Sequence, residues 1–410
     1  MMTPWTPMRW PSEWKDPALL DLLRDTPFDY LLFDKPDLLP AVINEAQKRG
    51  LKASGNDSIP AAVTIVKGDW PGVKMTSTGM VDRASAGPTG APWVDSNGWK
   101  IRLAAALHPG GDIWVDSLPQ KPRLFAESYQ IGIADAAAHG GRWIISIDEE
   151  LAAGIGNRKA AALATWKKIL AASGFFAEHR TWGELVPEAV LGIISDFTGK
   201  NEFMNQELLN LVARTNQQYR IILKNVVNPS AIRGLKAVIY ADEEGPSQDV
   251  RDQILVFVRA GGLLITGPKW GQLPPEAVAA PNHPRYLMHT LGKGRVAIAQ
   301  PDFEDPYIAA NDASILMSHR FELLRFWNVG AVGSCFTMVP DRKRAVIQIL
   351  FYAAAYFGNP TLRVSGRYRS ARLWTFDKSE ARNLEIENHQ DAIELHMPPV
   401  SQYAAVELEL

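Results

Sequence analysis

A single cysteine, Cys335, serves a chain of 410 residues. That count excludes an internal disulfide framework and any metal cluster made of thiolates alone, and it leaves the redox compartment open. No apolar run approaches the roughly 20 residues that a membrane-spanning helix requires. The opening MMTPWTPMRWPSEW has none of the apolar core of a secretory leader, so no signal peptide is expected in this chain. The cytoplasm and export after leader removal both remain compatible with it. Neither sign of charge is in excess. With 43 Lys and Arg against 45 Asp and Glu, the formal net charge is -2, and neither nucleic acid nor a membrane surface is expected as a partner. The 8 histidines form neither an HxH nor an HExxH pattern, which puts a metal-dependent hydrolase last among the enzyme readings and names no metal ligand. A GxGxxG fingerprint is missing as well, so no dinucleotide and no other cofactor is expected.

What the chain does carry is 46% hydrophobic residues, ample for the cores of two or three domains of roughly 100–200 residues each. The most informative stretch is 111–150. Two short apolar runs, 112–115 and 142–147, each deliver a carboxylate, Asp116 and Asp148. Between them, 124–138 reads as a helix with Ile131, Ala134 and Ala138 on one face, closed by His139-Gly140-Gly141. Strand, helix, strand is the βαβ unit of a parallel sheet. Ligands of such sheets sit at the carboxyl ends of the strands.

The same punctuation runs upstream. Strands are expected at 28–33 before Asp34, at 51–54 before Asn56-Asp57, and at 62–66 before Lys67-Gly68-Asp69-Trp70. Helices are expected at 16–24, 37–48 and 98–107, with a further one at 157–172. These are fewer strands than eight βα repeats need, so residues 1–180 are expected to form a shortened or irregular (β/α) barrel. Any one of these aspartates could simply cap the next segment. Their repetition behind strands favours a site.

Residues 181–300 read as a second α/β domain. Strands at 189–195, 219–223, 236–240 and 263–266 alternate with helices at 205–214 and 247–260, a Rossmann-like layout shared with amidotransferases. The nucleophilic cysteine of that chemistry is absent, because Cys335 lies outside the domain. Gly292-Lys293-Gly294 reads as a hairpin turn in preference to a phosphate loop. Residues 301–410 are expected to supply a linker helix and a small antiparallel β-domain, with strands at 361–364, 371–375, 383–387, 392–396 and 404–410. The run 345–357 fits a strand or a buried helix equally well.

Tryptophan is abundant, 13 in all. Trp70, Trp93 and Trp99 fall among Pro, Gly and Asp in loops, where an indole face can stack on a sugar ring. The stretch 76–97 is long for a loop in a compact domain, which marks it as functional or disordered. Its prolines and glycines favour order, with Asp95 and Asn97 set between two indoles. Asp95 or Ser96 is also placed to cap the helix at 98–107.

Barrel-like, Rossmann-like and β-domain in that order resemble the bacterial family-42-type β-galactosidases and related barrel glycosidases. The sequences behind the resemblance are Ala-His-Gly at 138–140, DIWVDSLP at 112–119, VRAGGLLITGP at 258–268, GKGRV at 292–296 and the closing SQYAAVELEL. The resemblance implies a carbohydrate substrate, homo-oligomer formation through a trimerisation-type middle domain, and Asp116 where the family places its nucleophilic Glu. The family's acid/base Asn-Glu pair has no counterpart at a strand end. Asn44-Glu45 falls in an expected helix and Asn201-Glu202 in the second domain. The leading expectation is O-glycosidic hydrolysis by two carboxylates. Asp116 would be nucleophile or base, and Asp69, Asp95 or Asp148 the acid, with Lys67, Trp70, Trp93, Asn97, Trp99 and Asp34 holding the sugar. The alternative is a carbohydrate-binding or scaffold relative without catalysis.

Overall fold

The computed structural model describes residues 5–55, 58–73, 75–77, 82–84, 94–119, 124–281, 283–300, 305–353 and 358–410. The first part of the chain builds its parallel sheets from six short strands, β1 (Pro7–Arg9), β2 (Tyr30–Phe33), β3 (Lys52–Gly55), β4 (Val63–Lys67), β5 (Asp112–Asp116) and β6 (Arg142–Trp143), with two small antiparallel pairs between β4 and β5. Helices α1 (Pro40–Lys48), α2 (Gly98–Leu107) and α3 (Ala126–Ala138) lie in three of the crossovers, and α4 (Glu149–Gly156) and α5 (Ala160–Glu178) follow. β1 pairs in parallel with β2 and β2 with β3. β5 pairs in parallel with both β4 and β6. A parallel bridge from Met8 to Ile145 joins the two triplets, with the Arg9 amide donating to the Ile145 carbonyl at 2.9 Å. The strands therefore run β3-β2-β1-β6-β5-β4, the cyclic order of a barrel. Among the described residues nothing pairs β3 with β4, so no closed barrel forms.

The sheet nevertheless curls. Tyr30 on β2 and Trp114 on β5 are separated by β1 and β6. In a flat sheet they would lie about 14 Å apart at the usual strand spacing, yet their rings meet edge-on at 4.9 Å. Trp114, Tyr30, Leu32 and Ile144 are buried together, with Trp5 and Val63 against them. The inside of the curl is thus a packed core, as in closed barrels. Residues of the other parity, including Leu31, Phe33, Ile113, Val115 and Trp143, pack outward against α1, α3 and α5. β1 was not expected from the sequence. It is three residues long and begins at a proline, which strands tolerate at their first position. The expected helix at 16–24 is a 3-10 segment, Pro17–Leu23, capped by Asp16.

The middle of the chain builds a seven-stranded sheet from β7 (Leu191–Ser195), β8 (Tyr219–Leu223), β9 (Ala237–Tyr240), β10 (Leu263–Thr266), β11 (Val278–Ala279), β12 (Tyr286–Leu291) and β13 (Gly294–Ala299). Its order is β8-β7-β9-β10-β13-β12-β11, parallel through β13 and antiparallel beyond. The two faces are covered separately. Helix α6 (Glu202–Arg214) and helix α8 (Pro306–Met317) bury Leu209, Val212, Ala313 and Met317 on one side. Helix α7 (Gln248–Arg259) buries Ile254 and Val258 on the other. Strands apolar on both faces, such as Leu191–Ser195, follow from that double cover. The expected linker helix is therefore α8, and it belongs to the core of this sheet. Gly292 and Lys293 make the tight turn between β12 and β13. A Cβ at Gly292, whose φ is +60°, would sit 2.8 Å from the Arg259 carbonyl, so only glycine fits.

The remainder forms two antiparallel sheets packed face to face, of six and four strands. The ambiguous run at 345–357 begins as a strand, Arg344–Phe351, buried along almost its whole length. Two strands here, Leu324–Trp327 and Val332–Met338, went unrecognised in the sequence because neither alternates cleanly in polarity. No helix among the described residues is long and apolar enough to cross a membrane.

Candidate functional site

Side chains alternate along a parallel strand, so each strand whose inner residues fill the curl also presents one at its carboxyl end. Trp5, Tyr30, Leu32, Trp114 and Ile144 form the filled layers. Continuing each parity by two residues gives Asp34, Asp116 and Ser146, and by four beyond Trp5 gives Arg9; Lys67 is the register partner of Asp116. Arg9, Asp34, Asp116 and Ser146 meet. The Arg9 guanidinium donates from Nη1 and Nη2 to the two oxygens of Asp116 at 2.8 and 3.0 Å. Its Nε donates to Asp34 Oδ1 at 2.9 Å, and Nη1 also to Ser146 Oγ at 2.8 Å. The Arg9 side chain is only 11% exposed, whereas Asp116 and Asp34 are 29% and 48% exposed. Burial works against the Arg9 charge, yet the hydrogen bonds and charges of Asp116 and Asp34 outweigh it and raise the guanidinium pKa. The result is a polar layer, open to solvent, over an aromatic floor.

The other expected residues lie in different environments. Asp148 caps α4, accepting the Leu151 amide at 2.8 Å, while its second oxygen accepts the Tyr129 hydroxyl at 2.9 Å. That is the capping alternative, favoured by the positive end of the helix. Asp69 is exposed and ion-paired to Lys100 at 2.7 Å. Trp70 is fixed by an indole N–H bond to the Leu118 carbonyl and by edge contacts with Tyr129 and Trp143. Asp95 pairs with Gly72 in a two-residue strand. Neither it nor Ser96 caps α2, because Asn97 occupies that position and makes no side-chain cap.

Asn97, expected to hold a sugar, is enclosed completely. Its amide donates to the Asp69 carbonyl and to Asp135, and its oxygen accepts the Asp69 amide, leaving nothing for a ligand. Trp99 is half-buried on the side of α2 away from the mouth. Trp93, Asp57 and most of the expected sugar-binding loop at 76–97 lie outside the described residues.

Asp135 was not anticipated. It sits in the middle of α3, a helix buried on nearly all sides, and is itself fully buried. One oxygen accepts the Tyr352 hydroxyl at 2.8 Å, and the other accepts the Asn97 amide N–H at 2.7 Å and the Asn97 side chain at 3.0 Å. Burial pushes its pKa up to about 6, against the pull of these donors. An acid inside the otherwise apolar run IGIADAAA was the signal available in the sequence. Arg9 gave no comparable signal, since MRWP reads as a loop.

Among the described residues, Glu387, His389 and Glu394 are spaced closely enough to share a metal ion, but Glu394 is also 3.7 Å from Arg363. A cavity of about 580 Å³ opens between α2, the turn from α6 to β8, α8 and the C-terminal sheets. Trp99 lines it.

No protein-family model matches the sequence, and no curated protein sequence matches it. Solved structures do. An α-L-fucosidase isoenzyme 2 from Paenibacillus thiaminolyticus is similar over 99% of this chain and 100% of its own, at TM-score 0.57 and 10% identity. A GH42 β-galactosidase, Gan42B of G. stearothermophilus, is similar over 76% of this chain and 56% of its own, at TM-score 0.52 and 11% identity. A rhamnosidase from Novosphingobium sp. PP1Y is similar over 91% of this chain and 39% of its own, at TM-score 0.50 and 11% identity. The chain thus spans about half of that galactosidase and all of the fucosidase chain. At these identities the likeness is one of fold: a mixed α/β chain of several sheets, arranged as in glycoside hydrolases.

Proposed function

We propose that the chain is a glycosidase-like protein that engages a carbohydrate at the carboxyl ends of its curled parallel sheet, and that it cleaves an O-glycosidic bond there. The observation that carries this is the Arg9 fork, which sets Asp116 and Asp34 in one solvent-open layer above a packed aromatic floor. The guanidinium fixes the position of both Asp116 oxygens. That suits Asp116 to the role of nucleophile, base or stabiliser of an oxocarbenium-like centre, with Asp34 beside it, Lys67 exposed nearby and the buried Ser146 holding Arg9. In this proposal the chain is a divergent relative of the family-42 type. Residues 1–180 bind the sugar, the doubly covered middle sheet is the Rossmann-like, trimerisation-type unit, and the C-terminal sheets close the molecule.

A second reading rests on the same fork. Arg9 binds both carboxylates, so the fork does not set one apart from the other as a general acid. On that reading the layer accepts hydrogen bonds from sugar hydroxyls without turnover. The test is a panel of aryl-glycosides and oligosaccharides, assayed for release and, in parallel, for binding. Turnover that falls at least tenfold in Asp116→Asn, with the fold intact, supports cleavage. Binding without turnover, lost in the same variant, supports the second reading. A panel with neither release nor binding removes both.

A further inference from the structure

The cavity behind α2 has an electrostatic imbalance that the mouth does not share. Arg102 projects from α2 into its wall. Its Nη1 donates to the Tyr219 carbonyl and its Nη2 to Cys335 Sγ, each at 3.3 Å. The guanidinium lies 4.8 Å from the centre of the Tyr219 ring. Its Nε is buried, with no hydrogen-bond partner among the described residues. Among the described residues no carboxylate stands within ion-pair distance of it. A half-buried cation satisfied by a carbonyl, a thiol and a ring lacks the counter-charge that burial ordinarily demands.

The surroundings do not supply that charge. Arg214 and Arg325 also line the cavity, Arg214 with the charges of Glu207 and Asp95 acting on it, and Glu322 is the one carboxylate among the described lining residues. Glu322 is committed already: one oxygen takes both Nε and Nη2 of Arg325, and the other takes Gln217 and His319. His139 lies flat on the start of α2, where a Cβ at Gly98 would fall 2.4 Å from the ring. Burial and the Arg102 charge push the His139 pKa down to about 3, so the ring is neutral and adds neither cation nor counter-ion. Its Nδ1–H donates to the Asp135 carbonyl at 2.8 Å. Around this positive wall stand the Trp99 indole, the Tyr307 ring and the amide of Asn311. The volume is within the range of small-molecule sites.

We propose that this cavity is a second ligand site, separate from the strand-end mouth, that takes a carboxylate-bearing sugar of the uronate type with its carboxylate at Arg102. An oxyanion there supplies the missing acceptor for the guanidinium. The indole and amides serve the ring and its hydroxyls.

Calorimetric titration with D-glucuronate and D-galacturonate, against D-glucose, D-galactose and inorganic phosphate, tests it. At least one uronate is expected to bind ten or more times tighter than its neutral counterpart and than phosphate. Arg102→Gln should cost that uronate at least tenfold in affinity. Asn311→Asp, nearly isosteric and adding a negative charge to the wall, should weaken it several-fold and leave neutral sugars unaffected, which keeps the test valid if Arg102→Gln does not fold. Equal affinity for uronate and neutral sugar, tightest binding by phosphate, or a uronate affinity indifferent to Asn311→Asp would each overturn the proposal.

Discussion

Arg9→Met is expected to destabilise the protein by roughly 2–4 kcal/mol at pH 7, somewhat less than the about 3–5 kcal/mol of breaking a fully buried ion pair by removing one partner. The reduction reflects solvent access to Asp34 and Asp116, which screens part of the loss. Methionine preserves most of the volume, so the effect is one of charge. Without the guanidinium, two carboxylates share a half-buried layer over an apolar floor and repel each other. Adding Asp116→Asn to Arg9→Met should recover part of the loss, because an unpaired buried charge costs more than an absent pair. Denaturant titrations of the four proteins of that cycle give the coupling energy. A coupling near zero, with Arg9→Met melting as wild type does, would show that the layer is only loosely organised. Sugar binding at the mouth would then have to be explained without it.

A comparable loss is expected from Asp135→Ala, and this one depends on pH. The substitution strips the acceptor from the Asn97 backbone N–H, the Asn97 amide and the Tyr352 hydroxyl, all in the buried interior. At about 1–3 kcal/mol for each buried group left unsatisfied, and with some local relaxation, the cost is roughly 3–5 kcal/mol near pH 4. Asp135 has a folded pKa of about 6 against 3.8 for the free side chain. A raised pKa stabilises the fold most when both states are protonated, and that contribution is lost as the pH rises through the folded value. The penalty of Asp135→Ala relative to wild type should thus shrink between pH 4 and pH 7.5, by up to about 3 kcal/mol for a shift of roughly two pH units. Asp135→Asn, which keeps the shape and cannot ionise, should show stability that is flatter with pH than wild type over the same interval. A penalty independent of pH would mean that Asp135 stays ionised in the fold at pH 4. Because Asn97 also anchors the Asp69 backbone, Asp135→Ala should loosen the turn that follows β4. Faster amide exchange at Asp69 would register this.

Much of the local architecture was legible from residue order alone. Strands Tyr219–Leu223 and Leu263–Thr266 have the bounds that their apolar runs announce, helix Gly98–Leu107 fills its expected span, and the Gly292-Lys293 turn follows from glycine geometry. The carboxylates at strand ends were readable for the same reason. Alternation and turn chemistry act over a few residues, and a few residues are what a sequence displays directly. Even Asp135 advertised itself as one acid in a run of small apolar residues. What those carboxylates do was decided elsewhere. Asp148 became a cap because the next helix begins immediately after it and offers the Leu151 amide three residues on, and Asn97 became structural because α3 closed over it. Arg9 reaches Asp116 across 107 residues of chain, through a three-residue strand that docks beside Ile145 only once the sheet curls. Among the described residues Arg102 meets no acid, because α2, β8 and the C-terminal sheets converge on it from distant parts of the sequence. Periodicity fixes which way a side chain points from its own strand or helix. Which charge it meets there depends on packing between segments far apart in the chain, and only the folded structure sets that.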